Sequence, residues 1–203
     1  SNLKGNIDLQ SGSSLFGNGT IGKVNLGANA SLAPGNSIGI INMDSLTIQG
    51  GSTLSLEVQN PLGNAGVGYD LLNVVGQLDL SNLSKAKPST IKLISLNQAG
   101  QKGDLQNIIN GKLNIVLIDY GSINLGSNVN LSDLFTLDLS GFTANGGPGA
   151  TGRLYLDNTN GALMAELSPI PEPSTYGMMI GGLSALAGLA RRRQRKQEAL
   201  AVA

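Results

Sequence analysis

The side chains best suited to chemistry in this chain are carboxylates, and they are scattered. Upstream of residue 171 they are Asp8, Asp44, Glu57, Asp70, Asp79, Asp104, Asp119, Asp133, Asp138, Asp157 and Glu166. Cleaving a glycosidic bond needs two acidic groups held on one face. No spacing here singles out such a pair: Asp133 and Asp138 flank one candidate strand, and Asp79 lies on another. The sequence has no His and no Cys. That removes the commonest general base, every Ser-His-Asp triad, thiol nucleophiles, thiolate metal sites and a disulfide framework. The Gly-Gly-x-Gly-x-Asp calcium nonapeptide is missing. Gly17-x-Gly19-x-x-Gly22 has no helix after it and reads as a corner, not a dinucleotide fingerprint. The expectation is a protein that is not an enzyme, with no metal, no cofactor and carboxylates in solvated surface roles.

The other concentration of unusual residues is the last thirty-odd. Pro171-Glu172-Pro173-Ser174 precedes an uncharged apolar run from Tyr176 to Ala190, and Arg191, Arg192, Arg193, Arg195 and Lys196 follow. At about 1.5 Å per residue the run reaches only about 22 Å of a roughly 30 Å hydrocarbon core. Long arginines snorkel and make up part of the deficit. Positive charge marks the cytoplasmic side, so everything before Pro171 is expected outside the cytoplasm. The tail from Pro171 holds five of the thirteen cations and two of the thirteen anions, which leaves eight positive against eleven negative charges upstream. That mildly acidic balance offers no basic face to nucleic acid.

A Pro-Glu-Pro, a short apolar helix and a terminal arginine cluster, in that order, resemble the PEP-CTERM sorting signal of Gram-negative bacteria. The resemblance implies that exosortase, a membrane-embedded cysteine transpeptidase-like protease, is a partner and processes the chain near Pro171, Glu172 and Pro173. Arg191, Arg192, Arg193, Arg195 and Lys196 would be the membrane-retention cluster. It also implies a transient inner-membrane intermediate with its C-terminus in the cytoplasm, followed by the cell surface or the exterior. Two prolines hold their backbone extended and forbid a helix through them, which suits presentation to a protease.

These ends are served by a repetitive passenger. Ile7-Asp-Leu-Gln-Ser-Gly-Ser-Ser-Leu15 aligns with Val24–Leu32 and with Leu46–Leu54, at offsets of 17 and 22 residues. Each unit alternates apolar and polar residues, turns at Gly or Asn, and returns to Leu. Units this short cannot bury their own apolar face and must stack. Expected inward residues are Ile7, Leu9, Leu15, Val24, Leu26, Leu32, Leu46, Ile48 and Leu54. Gly17-Asn-Gly-Thr-Ile-Gly22, Leu32-Ala-Pro-Gly-Asn-Ser-Ile-Gly39, Gly50–Glu57 and Tyr69–Val74 resemble the autotransporter passenger-associated β-repeat. That resemblance implies a right-handed parallel β-helix.

Further strands are expected at Gln77–Leu80, Thr90–Leu96, Leu113–Tyr120 and Leu134–Leu139. A short helix is expected over Asp104–Asn110, and a surface loop over Gly141–Gly152. Gly152–Asp157 and Ala162–Leu167 read as a terminal hairpin that caps the open end of the column. The expected architecture is therefore all-β: a right-handed parallel β-helix (solenoid) over residues 1–167 with a C-terminal β-hairpin cap. A Pro-Glu-Pro linker follows at 168–174. The sorting signal fills 175–203, with one short hydrophobic membrane helix at 175–190 and the basic cluster at 191–196. The chain opens within a repeat, so an N-terminal portion with its export signal is expected upstream. The expected function is an exported non-enzymatic surface or extracellular-matrix protein, associated with biofilm and exopolysaccharide. The alternatives are an adhesin binding polysaccharide or host surface, and a β-helix carbohydrate-active enzyme.

Overall fold

The computed structural model describes residues 2–3, 5–105, 112–127, 130–144 and 149–169. By internal contacts the chain divides between Ile170 and Pro171, so every described residue belongs to the first unit. The expected apolar helix at 175–190 and the basic cluster at 191–196 lie outside the described residues. Among the described residues, no helix is long and apolar enough to cross a membrane.

Alternation of apolar and polar residues sets the strands: Asn2–Leu3 (β1), Ile7–Leu9 (β2), Ser14–Gly17 (β3), Gly19–Leu26 (β4), Ser31–Pro34 (β5), Ile40–Ile48 (β6) and Thr53–Val58 (β7). They continue with Leu71–Asp79 (β8), Ser89–Ser95 (β9), Leu113–Asn124 (β10), Phe135–Gly141 (β11), Ala150–Asp157 (β12) and Ala162–Pro169 (β13). In β7, Leu54, Leu56 and Val58 are buried while Thr53, Ser55 and Glu57 stay half-exposed, as a strand with one face in the core requires. The fold is all-β, and its one described helix is the four-residue Leu131–Leu134 (α1).

The strands form two sheets. The larger runs β1-β4-β6-β8-β10-β13-β12, with β2 also on β4, and the smaller runs β11-β9-β7-β5-β3. From β4 to β11 the chain alternates between them, and strands two apart in sequence pair in parallel. The registers reproduce the repeat offsets: Ile7 opposite Val24 opposite Leu46, Leu9 opposite Leu26 opposite Ile48, and Leu15 opposite Leu32 opposite Leu54. Of the expected inward residues, Leu9, Val24, Leu26, Leu32, Leu46, Ile48 and Leu54 belong to the buried core, and Ile7 and Leu15 pack on it partly covered. The columns continue to Leu78 in β8 and to Ile91 and Leu137 in β9 and β11.

The turns of successive repeats carry Gly12, Asn29 and Gly51, with φ of 78°, 60° and 86°. These are left-handed conformations that only Gly and Asn adopt cheaply, and they recur at the repeat offsets. The Gly12 N–H donates to the Asn29 carbonyl at 3.2 Å, which ties one corner to the next.

The terminal hairpin is present. β12 and β13 pair antiparallel from Ala150 opposite Pro169 to Asp157 opposite Ala162, and β13 also pairs antiparallel with β10. Two expectations need correction. Leu105 does not begin a helix, because it bridges to Ala144 as an extended residue; residues 106–110 lie outside the described residues. The segment after Gly141 is not wholly a surface loop, because Phe142 and Ala144 are buried. One of only three phenylalanines in the chain fills the core there, and periodicity could not reveal a single inserted aromatic.

Candidate functional site

Several carboxylates occupy local structural posts. Asp157 caps the hairpin turn, its Oδ1 accepting from the Thr159 and Asn160 N–H at 3.0 and 3.2 Å. Asp138 accepts from the Ser140 N–H at 2.9 Å, and its pKa is lowered chiefly by hydrogen bonding from Ser140. Such bonds two residues onward are the usual turn chemistry of Asp. Glu166 on β13 receives Lys112 Nζ at 2.8 Å and Arg153 Nε at 3.1 Å, which hold its pKa down at about 2, Arg153 first. Asp133 stands 3.9 Å from Lys85 on the surface.

Asp8 does share an outward column with Asn25, Thr47, Asp79 and Asn124. Asp8 and Asp79 are three strand spacings apart, about 14 Å at about 4.8 Å per strand. Paired catalytic carboxylates stand roughly 5–10 Å apart. Asp79 is also engaged, accepting from the Ser81 N–H at 3.0 Å and from Asn124 Nδ2 at 3.1 Å. Among the described residues there is no group of three or more His, Cys, Asp or Glu placed to hold a metal ion. Gly17 and Gly19 flank a corner between β3 and β4, with φ of 121° and 145°, and no helix follows.

Asp70 departs from the expected surface role: it is 1% exposed. Its Oδ1 accepts from the Gly39 N–H and its Oδ2 from the Glu57 N–H, each at 2.7 Å. The neighbouring backbone adds Leu71 N–H to Gly39 C=O at 3.0 Å. One carboxylate thereby joins the corner after β5, the end of β7 and the start of β8. Burial pushes its pKa up from 3.8 to about 7, against the two backbone bonds that favour the ionised form. Asp70 lines a pocket of about 150 Å³ together with Glu57, Ser55, Asn36, Ser37 and Phe16. The Phe16 ring is 67% exposed. Asp70 falls in the Tyr69–Val74 repeat segment, but its role could not be read there because its partners lie 31 and 13 residues away.

The outward faces carry polar ladders. Ser14, Ser31, Thr53, Thr90 and Thr136 stand in one column of the smaller sheet. Thr20, Asn42, Asn73 and Asp119 stand in another on the larger sheet. Asn73 Nδ2 donates to Asn42 Oδ1 at 2.8 Å, and Asn42 Nδ2 to the Gly19 carbonyl at 3.4 Å, so amides chain from strand to strand. These ladders present repeated donors and acceptors at the strand spacing, about 4.8 Å.

The described structure ends at Pro169, paired with Ala150, one residue short of Ile170 and the Pro171-Glu172-Pro173 that follows. Pro171, Glu172, Pro173 and the basic residues Arg191, Arg192, Arg193, Arg195 and Lys196 lie outside the described residues. In sequence they fall inside a match to the PEP-CTERM protein-sorting motif, which covers residues 169–196. No curated protein and no solved structure matches the chain. The motif implies an exported protein with a C-terminal sorting signal and exosortase as its processing partner.

Proposed function

We propose that this chain is a non-enzymatic exported passenger, a stacked parallel β-solenoid delivered by its sorting tail to the cell surface or the extracellular matrix. The observation that carries the reading is the PEP-CTERM match at 169–196, directly after the last strand of an all-β body. The solenoid reading draws support from two sheets visited alternately in parallel register and from aliphatic columns that repeat rung after rung. Each parallel strand is linked to the next through the opposite sheet, as coils require. The antiparallel pair β12 and β13 then serves as the cap, covering the last rung. The tail's apolar run crosses the inner membrane briefly, and its cations stay on the cytoplasmic side until exosortase acts.

A biofilm or exopolysaccharide role is in keeping with an exported chain and suits a body whose faces are ladders of Ser, Thr and Asn. A second reading, an adhesin for polysaccharide, is favoured by those same ladders and by the exposed Phe16 beside Ser55 and Glu57. Aromatic faces with flanking acceptors are apt for sugar rings. A carbohydrate-active enzyme is disfavoured by the wide separation of Asp8 and Asp79 in their shared column and by the backbone bonds that occupy Asp70.

The test is mass spectrometry of the extracellular fraction from the native host. A mature chain ending near Pro171 is expected. Intact protein through Arg191–Ala203 in the membrane pellet would instead mark the tail as a plain anchor.

A further inference from the structure

β13 is an inner strand. It is hydrogen-bonded to β10 on one side and to β12 on the other, and its register with β12 runs to Pro169. Leu163, Ala165 and Leu167 on this strand are fully buried. Glu166 ties it to Lys112 and to Arg153 on β12. Between this fixed end and Pro171 lies only Ile170, a reach of about 7 Å in extended chain. A protease reads its substrate as an extended segment on both sides of the scissile bond and contacts its backbone hydrogen-bonding groups. For a cut at Pro171, the residues on the upstream side are Ile170 and then the end of β13, where Ser168 and Pro169 are paired with β12 and Leu167 with both β10 and β12.

We propose that β13 is a fold-dependent latch on processing: exosortase seats the Pro-Glu-Pro segment only after the C-terminal residues of β13 release β10 and β12. The inference rests on the sorting reading and adds to it a determinant in the passenger. The processing rate follows how often the end of the hairpin opens, not the motif alone. A passenger with a long flexible tether carries no such control, and this chain has one residue of tether.

The experiment follows the full-length precursor by pulse-chase in a host containing the matching exosortase, with the product's C-terminus identified by mass spectrometry. Six Gly/Ser residues inserted between Pro169 and Ile170 are expected to speed processing by about tenfold, because the motif is then seated without opening the strand. Glu166→Gln is expected to speed processing about threefold at native spacing and to change nothing in the inserted background. Arg153→Cys with Glu166→Cys joins directly opposed residues of β12 and β13, and oxidation is expected to slow processing at native spacing only. Equal rates in all these proteins, or a Glu166→Gln effect that persists unchanged after insertion, would overturn the latch while leaving the sorting signal intact. Absence of any processed product in every variant would overturn the sorting reading and the latch with it.

Discussion

Asp70 shows how one side chain can fix a corner that no short-range rule dictates. Its two oxygens each accept one backbone N–H, from Gly39 and Glu57. Asparagine offers a single acceptor, so Asp70→Asn leaves one buried N–H facing an amide donor and costs about 1–3 kcal/mol. The pH dependence has a definite sign. The folded-state pKa of about 7 lies above the ordinary 3.8, so the folded protein holds the proton more tightly than the unfolded chain. The associated stability is complete below the ordinary value and is lost as pH rises through about 7. Denaturant titrations at pH 5 and pH 8 should therefore show wild type less stable at the higher pH, and Asp70→Asn with a flatter profile. A wild-type profile flat over that range would show that the carboxylate is better solvated than its burial indicates.

At the scale of elements, the first three repeats were legible because nothing interrupts them: identical alternation at offsets of 17 and 22 residues becomes the observed register. Truncating the fully buried Leu54, which sits between Leu32 and Ile91 in its column, should cost about 2–5 kcal/mol in chemical unfolding, since neither neighbour can fill the gap. Later rungs were harder to read because inserted loops separate partners. Leu78 pairs with Ile123, 45 residues on, too far for a spacing rule to connect. α1 and the buried Phe142 come after Ile123, in a segment where the repeat spacing has already been lost. The hairpin was readable from its turn sequence, but the Glu166 cluster that locks it was not, since Lys112 comes from a remote segment. The Glu166 pKa is depressed to about 2, so its contribution is present above 4.5 and fades as pH falls through about 2. Glu166→Gln should raise amide exchange in β12 and β13 while leaving β5 to β9 protected, as read by hydrogen-exchange mass spectrometry.

For the whole molecule, the sorting tail and the body before it carry different kinds of information. The sorting tail is a linear signal of residue types in order, and a sequence carries that fully. The surface of the body depends on which strands pair, so its ladders became visible only with the register. Replacing Arg191, Arg192, Arg193, Arg195 and Lys196 with Gln should reduce both membrane-bound precursor and processed product. Each cation near an anionic leaflet contributes about 1 kcal/mol. Cell fractionation with quantitative blotting checks this, and unchanged precursor levels would assign retention to the apolar run alone.

The placement of β13 between two partners has a mechanical consequence. A pull on the C-terminal end of the described body enters β13 at Pro169. Both flanking ladders then bear load together in shear, many bonds at a time, whereas an edge strand would peel one bond after another. A body whose last strand is paired on both sides resists a pull on its C-terminal end better than one that finishes in an edge strand.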